Sequence, residues 1–155
     1  MCIRDSNSSS RAFALKYDAT APTATAGQPA RAPDVGDWYN RAVAIAFTGT
    51  DQLSGVDTCA TVTYAGPDSA TASAPGTCTD KAGNVSAPLG RGLKYDGTGP
   101  TVTGGNPARD ANANGWYNQA VDIAFAGADR VSGVQGCTSA TYGGPDSAAA
   151  SVTGT

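Results

Sequence analysis

Residues 37–47, DWYNRAVAIAF, return 78 positions later as residues 115–125, GWYNQAVDIAF. In the first stretch Val43, Ile45 and Phe47 alternate with alanines, so the bulky side chains fall on one face and the small ones on the other. This alternation predicts a β-strand with one face in a hydrophobic core. Because the phrase occurs twice, the same strand is expected twice.

The repeat extends well beyond this phrase. Residues 18–77 align with residues 96–155 without an insertion or deletion, and 34 of the 60 positions are identical. A fixed internal period is stronger evidence of architecture than local propensity is. We therefore interpret residues 18–95 as one complete repeat and residues 96–155 as an incomplete repeat.

The two ends of the chain differ from this pattern. Residues 7–17 resemble the end of a repeat, because NSSSRAFALKYD aligns with NVSAPLGRGLKYD of residues 84–96 after one deletion. They are expected to be the tail of a preceding copy. Residues 1–6, MCIRDS, match nothing in the repeat and resemble translated sequencing-adapter bases. We expect them to be an artefact and exclude them from the fold.

Further short strands and turns follow the first strand of each copy. TCATVTY, residues 58–64, predicts one strand with Ala60, Val62 and Tyr64 on one face. The turn GPDS ends it, since Pro and Asp favour turn positions.

The rest of the complete copy is also strand and turn. SATASAPGTCT at 69–79 predicts a further strand or pair of strands, and DKAGN at 80–84 a tight hairpin in which Gly and Asn take positive φ. No segment has helical apolar spacing. The predicted fold class is therefore all-β, with antiparallel β-sandwich units of which the second is truncated.

Composition limits the partners. The net charge is −3 and the pI near 4.6, whereas a nucleic-acid partner requires a clustered basic surface. No run of about 18 apolar residues indicates a membrane span. The composition is typical of a secreted module.

Four motifs together carry a family resemblance: WYN before a strand, D-x-x-SGV after it, TCTDKAGN near the end of the unit and a YD-x-T-x-P linker. This combination resembles the immunoglobulin-like tandem repeats of large bacterial surface and secreted proteins. The resemblance covers residues 18–155. It implies an extracellular spacer, stalk or adhesive module whose partners are neighbouring repeats of the same chain, and no active-site residue transfers with it.

The cysteines support an extracellular location. Cys59 and Cys78 lie in the complete copy, and Cys137 is the copy of Cys59. We expect a Cys59–Cys78 disulfide, which implies oxidising surroundings, and an unpaired thiol at Cys137, because the counterpart of Cys78 would be residue 156. Two separate buried thiols are the alternative.

Catalytic and cofactor functions find no support. The chain has no histidine, which removes the commonest general base and the Ser/His and Cys/His nucleophile arrangements. GPDS and SGV read as turns rather than as a nucleophile elbow. We expect no catalytic residue, no enzyme activity and no cofactor.

Aspartates that recur in both copies are the metal candidates. They are Asp18 with Asp96, Asp51 with Asp129, and Asp68 with Asp146. Oxygen ligands of this kind hold Ca²⁺ between extracellular modules, so Asp18, Asp51, Asp96 and Asp129 are weak calcium candidates. Asp is also an ordinary turn residue, and no D-x-D-x-D spacing is present; we favour turns and expect no metal.

The tryptophans are the candidate core aromatics. Trp38 and Trp116 are expected to fill the core of each unit, because a small unit with few aromatic residues needs them inside. The alternative is a flat sugar-binding platform with Tyr39 and Tyr117. A solvated Trp116 beside Tyr117 in a groove would favour that alternative.

The expected function is thus a non-catalytic structural or spacer repeat of a bacterial surface or secreted protein. An adhesive or carbohydrate-binding module, stabilised by calcium, is the competing hypothesis; its ligand would be a cell surface or a polysaccharide.

Overall fold

The computed structural model describes residues 10–155; residues 1–6 and the first three residues of the 7–17 tail lie outside this part. Within the described residues the chain is all-β, with one short 3₁₀ helix at Ala113–Gly115. The strands are β1 (Thr23–Pro29), β2 (Trp38–Tyr39), β3 (Val43–Thr50), β4 (Val56–Cys59), β5 (Thr61–Tyr64), β6 (Ser69–Gly76), β7 (Cys78–Asp80), β8 (Leu89–Tyr95), β9 (Thr101–Pro107), β10 (Val121–Ala128) and β11 (Ser139–Tyr142).

Two three-stranded sheets and one strand pair contain the first eight strands. One sheet has the order β1-β3-β5 and is antiparallel throughout. In the other, of order β2-β8-β6, β8 pairs antiparallel with β6 and parallel with the two-residue β2. β4 and β7 form a separate antiparallel pair.

The core lies between the two sheets. Val43, Ile45 and Phe47 of β3 are buried, which confirms the alternation predicted from the sequence. They pack with Ala72 and Ala74 of β6 and, from β2 and β8, with Tyr39 and Tyr95. The core residues of β6 are small, so they leave room for aromatic rings between the two sheets. These rings fill the space that the alanines leave.

The sheet β9-β10-β11 repeats β1-β3-β5 in the same register. Pro29 pairs with Ile45 and Pro107 with Ile123, the same two positions 78 residues apart. β10 pairs with β11 from Val121 to Ala124, as β3 pairs with β5 at the equivalent residues. Cis peptide bonds precede Pro67 and Pro145 in the two copies. The sequence repeat is therefore also a repeat of strand pairing.

The core residues of the second copy are more exposed to solvent than those of the first. Val121 is buried, but Ile123 and Phe125 are only half-buried, whereas their counterparts Ile45 and Phe47 are buried. Residues 143–155 form no strand, but Thr138 N donates to Thr155 O at 2.7 Å, as Ala60 N does to Thr77 O at 2.8 Å.

The single strand predicted at residues 58–64 is wrong. The chain forms β4 and β5 on either side of Ala60, and the two strands pair with different partners. Ala60 N donates to Thr77 O, and Ala60 O accepts from Phe47 N. These bonds hold Ala60 between the two pairings, so the chain changes sheets at this residue.

The DKAGN hairpin is present, with one difference. Gly83 has φ +92°, as the sequence predicts, and lies in the turn that follows β7. After this turn Val85 forms an antiparallel bridge with Thr79 of β7. Asn84 does not take positive φ; its side chain instead binds Asp80.

Residues 10–22 form no strand. Phe13, Leu15 and Tyr17 of this segment are 87 %, 68 % and 76 % exposed. They are among the most exposed apolar side chains of the described part of the chain.

Candidate functional site

An aspartate at the entry of each copy binds the loop that follows its central strand. Asp18 Oδ2 accepts a hydrogen bond from Ser54 N at 2.9 Å, and Asp96 Oδ2 accepts one from Ser132 N at 2.9 Å. In both cases the partners are 36 residues apart in sequence. The beginning of each copy is thus fixed to its own D-x-x-SG loop.

A second aspartate shapes that loop from within. Asp51 Oδ1 accepts hydrogen bonds from Leu53 N at 3.1 Å and Gly55 N at 2.7 Å. Asp129 Oδ1 makes the equivalent bond with Gly133 N at 2.8 Å. Gly55 and Gly133 have φ +78° and +79°, which explains the glycine of the motif, because other residues rarely adopt this conformation.

A third carboxylate completes this cluster in the first copy. Asp80 is 2 % exposed; its Oδ1 accepts from Ala82 N at 2.9 Å and its Oδ2 from Asn84 Nδ2 at 2.8 Å. One oxygen each of Asp18, Asp51 and Asp80 lies within 4.8 Å of the others. We call these three residues the entry cluster. Sequence analysis missed Asp80, because DKAGN was interpreted only as a hairpin.

Hydrogen bonds lower the pKa of two carboxylates of the entry cluster, Asp18 and Asp80. The pKa of Asp18 is lowered by the hydrogen bonds from Thr20 and Ser54. Burial raises the pKa of Asp80, but hydrogen bonds from the Asn84 side chain and backbone outweigh this effect and the pKa is lowered overall. The donors are groups of the chain itself, so the negative charges are stabilised by the turns that they form.

The four calcium candidates form two separate pairs, one in each copy. Asp18 and Asp51 meet in the entry cluster, and Asp96 and Asp129 both contact Ser132 in the second copy. Calcium takes six to eight oxygen ligands, and much of the oxygen capacity here accepts N–H bonds. These four aspartates accept hydrogen bonds mainly from backbone N–H groups, both in their own turns and, for Asp18 and Asp96, in the loop 36 residues further on.

A further aspartate joins the two copies. Asp68, in the turn after β5, accepts hydrogen bonds from Gly97 N at 2.8 Å and Thr98 Oγ1 at 2.5 Å. These bonds lower the pKa of Asp68, and those from Ser132 lower the pKa of the neighbouring Asp96. A turn of the first copy thus holds the linker, and the linker holds a loop of the second. We call this set of bonds the junction clasp.

The core role predicted for the tryptophans is wrong. Trp38 is half-buried, and Tyr39 takes the core position. Consecutive residues of a strand point to opposite faces, so only one of the two can face inward. Trp38 lies outside with Lys94 Nζ 5.9 Å from its ring centroid. Trp116 is 58 % exposed, and within residues 10–155 it belongs to no strand.

The disulfide prediction is confirmed. Cys59 and Cys78 are bonded and join β4 to β7, where they are directly paired. Within residues 10–155 Cys137 is free and half-buried. Its side chain lies near Gly127, as Cys78 lies near Gly49.

An open groove of about 810 Å³ runs beside the junction clasp. Trp38 and Asp34 line one side, and residues 132–136 line the other. Asp34 forms ion pairs with Arg41 at 2.6 Å and Arg31 at 2.7 Å, and these partners hold the pKa of Asp34 well below its usual range. The second copy has Asn112 at the position of Asp34, so these ion pairs are not a repeated feature.

No helix in residues 10–155 is long and apolar enough to cross a membrane. Comparison with protein-family models, with curated proteins and with solved structures found no match.

Proposed function

We propose that residues 18–155 belong to a non-catalytic array of immunoglobulin-like repeats that acts as an extracellular spacer in a bacterial surface or secreted protein. The units would be residues 18–95 and residues 96–155. The proposal draws on the repeated strand register and on the motifs of the sequence, and the neighbouring repeat is the partner of each unit.

The junction clasp is the observation that carries this proposal. Asp68 of the first copy accepts hydrogen bonds from Gly97 and Thr98 at the beginning of the second copy, and the adjacent Asp96 accepts one from Ser132 within that copy. The aspartates that form it recur in both copies, so the same connection can be made at every junction of a longer array. A linker bonded on both sides holds successive units at a fixed spacing, which is the requirement for a spacer.

The disulfide supports an extracellular location. Disulfides persist in oxidising compartments, and small secreted domains use them to supplement a limited core. Cys59–Cys78 joins two short strands that lie outside the two three-stranded sheets of the first copy.

Small-angle X-ray scattering tests the spacer. Arrays with one, two or three extra copies of residues 18–95 inserted after Tyr95 are compared with the 155-residue chain. We expect the maximum dimension to grow by a constant increment per copy. The matched control carries Asp68→Ala in every copy and, at each junction, alanine in place of Thr98 or of its counterpart Thr20, and it should grow more slowly, as a flexible chain does. Equal growth of both series, or no growth, would contradict the proposal.

A carbohydrate-binding or adhesive module is the second candidate, because Trp116 is exposed beside the partly exposed Tyr117. Tryptophan fluorescence during titration with polysaccharides tests it. Binding that is lost in Trp116→Ala and kept in Trp38→Ala would favour the binding module. If no polysaccharide changes the fluorescence, the exposed ring has no such ligand among those tested.

A further inference from the structure

An asparagine followed by a glycine lies in the exposed loop before β10. Asn114 and Gly115 are the last two residues of the short 3₁₀ helix, of which no residue is buried. Asn114 has φ 56° and ψ 30°, and in the described part of the chain it is the only residue other than glycine with positive φ. This left-handed conformation is strained for any residue with a Cβ, although Asn tolerates it better than most.

The residue pair Asn-Gly is the one in which a side-chain amide reacts most readily with its own main chain. The main-chain nitrogen of the second residue attacks Cγ of the asparagine and closes a succinimide ring, and a side chain on the second residue hinders this approach. Gly115 has no side chain. Its surroundings are also open, because a Cβ placed there would meet nothing within 4 Å. Neighbouring atoms therefore do not oppose the ring closure.

The amide of Asn114 is not held by hydrogen bonds. Asn112, in the same loop, shows the contrast: its Oδ1 accepts from Arg109 Nη1 at 3.0 Å and from Asn118 N at 3.4 Å. The Asn114 side chain forms no such bond with any residue of 10–155. Asn112 is also followed by an alanine rather than a glycine. Of these asparagines, Asn114 is the one with both a free amide and an unhindered neighbour.

The backbone of the loop sets the rate of such a reaction. At ψ 30° Gly115 N points away from the Asn114 side chain, so the Cα–C bond of Asn114 must rotate before the ring can close. Two bonds brace the loop: Trp116 N donates to Ala113 O at 3.2 Å, and Asn112 N donates to Trp116 O at 2.7 Å. The rotation releases the strained left-handed conformation and displaces no buried side chain. The reaction should thus be slower than in a free peptide, but not blocked.

The exposure of this position is a feature of the repeat. Gly36 is the counterpart of Asn114 in the first copy; it is also exposed and has φ 55°. There Trp38 and Tyr39 pair with β8, so the position stays open to solvent where both sheets of the unit are formed. The first copy has Gly36 followed by Asp37 and therefore lacks the reactive side chain.

We propose that Asn114–Gly115 is a site of spontaneous deamidation, which converts Asn114 to aspartate and isoaspartate as the chain ages. Gly115 N gives its proton to hydroxide and forms a bond to Asn114 Cγ. The Cγ–Nδ2 bond breaks, and the amide nitrogen takes a proton from water and leaves as ammonia. Water then adds to either carbonyl carbon of the succinimide and opens the ring. The reaction needs only water and hydroxide, and nothing is oxidised or reduced.

The modification changes both the charge and the shape of the loop. Each converted chain carries one more negative charge, in the loop that also contains Arg109. The Arg109 guanidinium contacts Asn112 and lies 5.0 Å from the centroid of the Tyr117 ring. Isoaspartate in addition lengthens the main chain by one methylene group directly before Trp116. The fraction of converted chains records the time since synthesis, and the inference does not require the spacer function.

Ageing of the folded protein tests the site. The 155-residue chain is kept at mildly alkaline pH, and its tryptic peptide of residues 110–130 is followed by mass spectrometry. A synthetic peptide of residues 110–118 is aged in parallel. We expect Asn114 to be converted to aspartate and isoaspartate more slowly than in the peptide, while Asn112 and Asn118 remain unchanged. An intact Asn114 when the synthetic peptide has reacted fully, or equal conversion of Asn112, would overturn the proposal.

Two variants provide matched controls. Asn114→Gly gives the loop the residue of the first copy, and the acidic form should no longer accumulate in ion-exchange chromatography. Gly36→Asn with Asp37→Gly installs the pair in the first copy. A Cβ at Gly36 would meet nothing within 4 Å and the Asp37 side chain is 83 % exposed, so the fold is kept. We expect deamidation at residue 36 of this variant. An acidic form that persists in Asn114→Gly, or a residue 36 that stays unmodified, would contradict the proposal.

Discussion

At the scale of single residues, the two-residue strand β2 decides which aromatic ring enters the core. Tyr39 faces inward and is buried, and Trp38 faces outward. The WYN motif indicates that an aromatic residue is inside, but a strand of two residues has no period from which its face could be read. Only the pairing with Lys94 and Tyr95 of β8 sets the orientation.

Alanine substitutions at these neighbours should differ sharply in effect. Tyr39→Ala leaves a cavity among Val43, Ala72 and Tyr95 and should lower the free energy of unfolding by about 3–5 kcal/mol. Trp38→Ala removes a half-buried ring and should cost about 1 kcal/mol or less. Urea unfolding at neutral pH measures both; a larger loss for Trp38→Ala would mean that the core is assigned to the wrong residue.

Glycine positions on the inner strands provide a second test. A Cβ at Gly76 would lie 2.3 Å from Phe47 Cδ2, whereas a Cβ at Gly92 would meet nothing within 4 Å. Gly76→Ala should therefore destabilise the chain by about 1–3 kcal/mol through overpacking, and Gly92→Ala should be close to neutral. Thermal unfolding of the two variants decides, and equal midpoints would count against the observed packing of Phe47.

At the scale of strands and loops, β4 and β5 show what alternation misses. Ala60, Val62 and Tyr64 alternate as a single strand would, yet the chain changes sheets at Ala60. The change depends on Thr77 and Cys78, which are distant in sequence, so no local pattern carries it. β4 is held mainly through its pairing with β7 and through the disulfide.

Removal of the disulfide should weaken the first copy. For a closed loop of about 20 residues, chain entropy gives a stabilisation of about 3 kcal/mol. We expect Cys59→Ser with Cys78→Ser to lower the free energy of unfolding by about this amount in urea. Cys137→Ser is the matched control and should have little effect. A loss below about 1 kcal/mol for the double variant would show that β4 and β7 hold together without the bond.

The entry cluster gives a prediction about calcium. Because its carboxylates accept N–H bonds from their own turns, we expect the same thermal midpoint in millimolar Ca²⁺ and in excess chelator. Only a ligand that prefers the folded state raises stability. An upward shift with Ca²⁺ that disappears in Asp51→Asn would show instead that the cluster binds the ion.

At the scale of the whole molecule, the repeat carried most of what could be predicted. It indicated the all-β class, the recurrence of the central strand and the disulfide partners, because each depends on local alternation or on counting. For the entry cluster and the junction clasp, the sequence indicated some of the residues but not the contacts between them. Asp18 and Asp80 are far apart in sequence, and their proximity is a property of the fold rather than of either motif.

Acid should destabilise the molecule. Asp18, Asp34, Asp68, Asp80 and Asp96 have lowered pKa values. The ionised carboxylates therefore stabilise the native state, because the unfolded chain binds protons at higher pH than the native one does. Their contribution to the free energy of unfolding is fully present above the unfolded-state pKa near 3.9. It is lost as the pH falls through the lower native pKa values.

The urea midpoint should thus be nearly constant from pH 7 to 5 and should fall below about pH 4. Asp68→Asn should reduce this dependence, because the pKa of Asp68 is lowered in the native state. A midpoint that rises on acidification would contradict the assignment.

If the chain is the extracellular spacer proposed above, it is also pulled along its length. When tension unfolds the first copy, the Cys59–Cys78 bond transmits the force directly, and the residues between the two cysteines remain slack. The bond spans 19 positions, so with about 3.4 Å per extended residue roughly 60–65 Å of contour length stays hidden until the bond is reduced. The redox state of the surroundings would then set how far each unit can stretch, independently of how firmly it is folded.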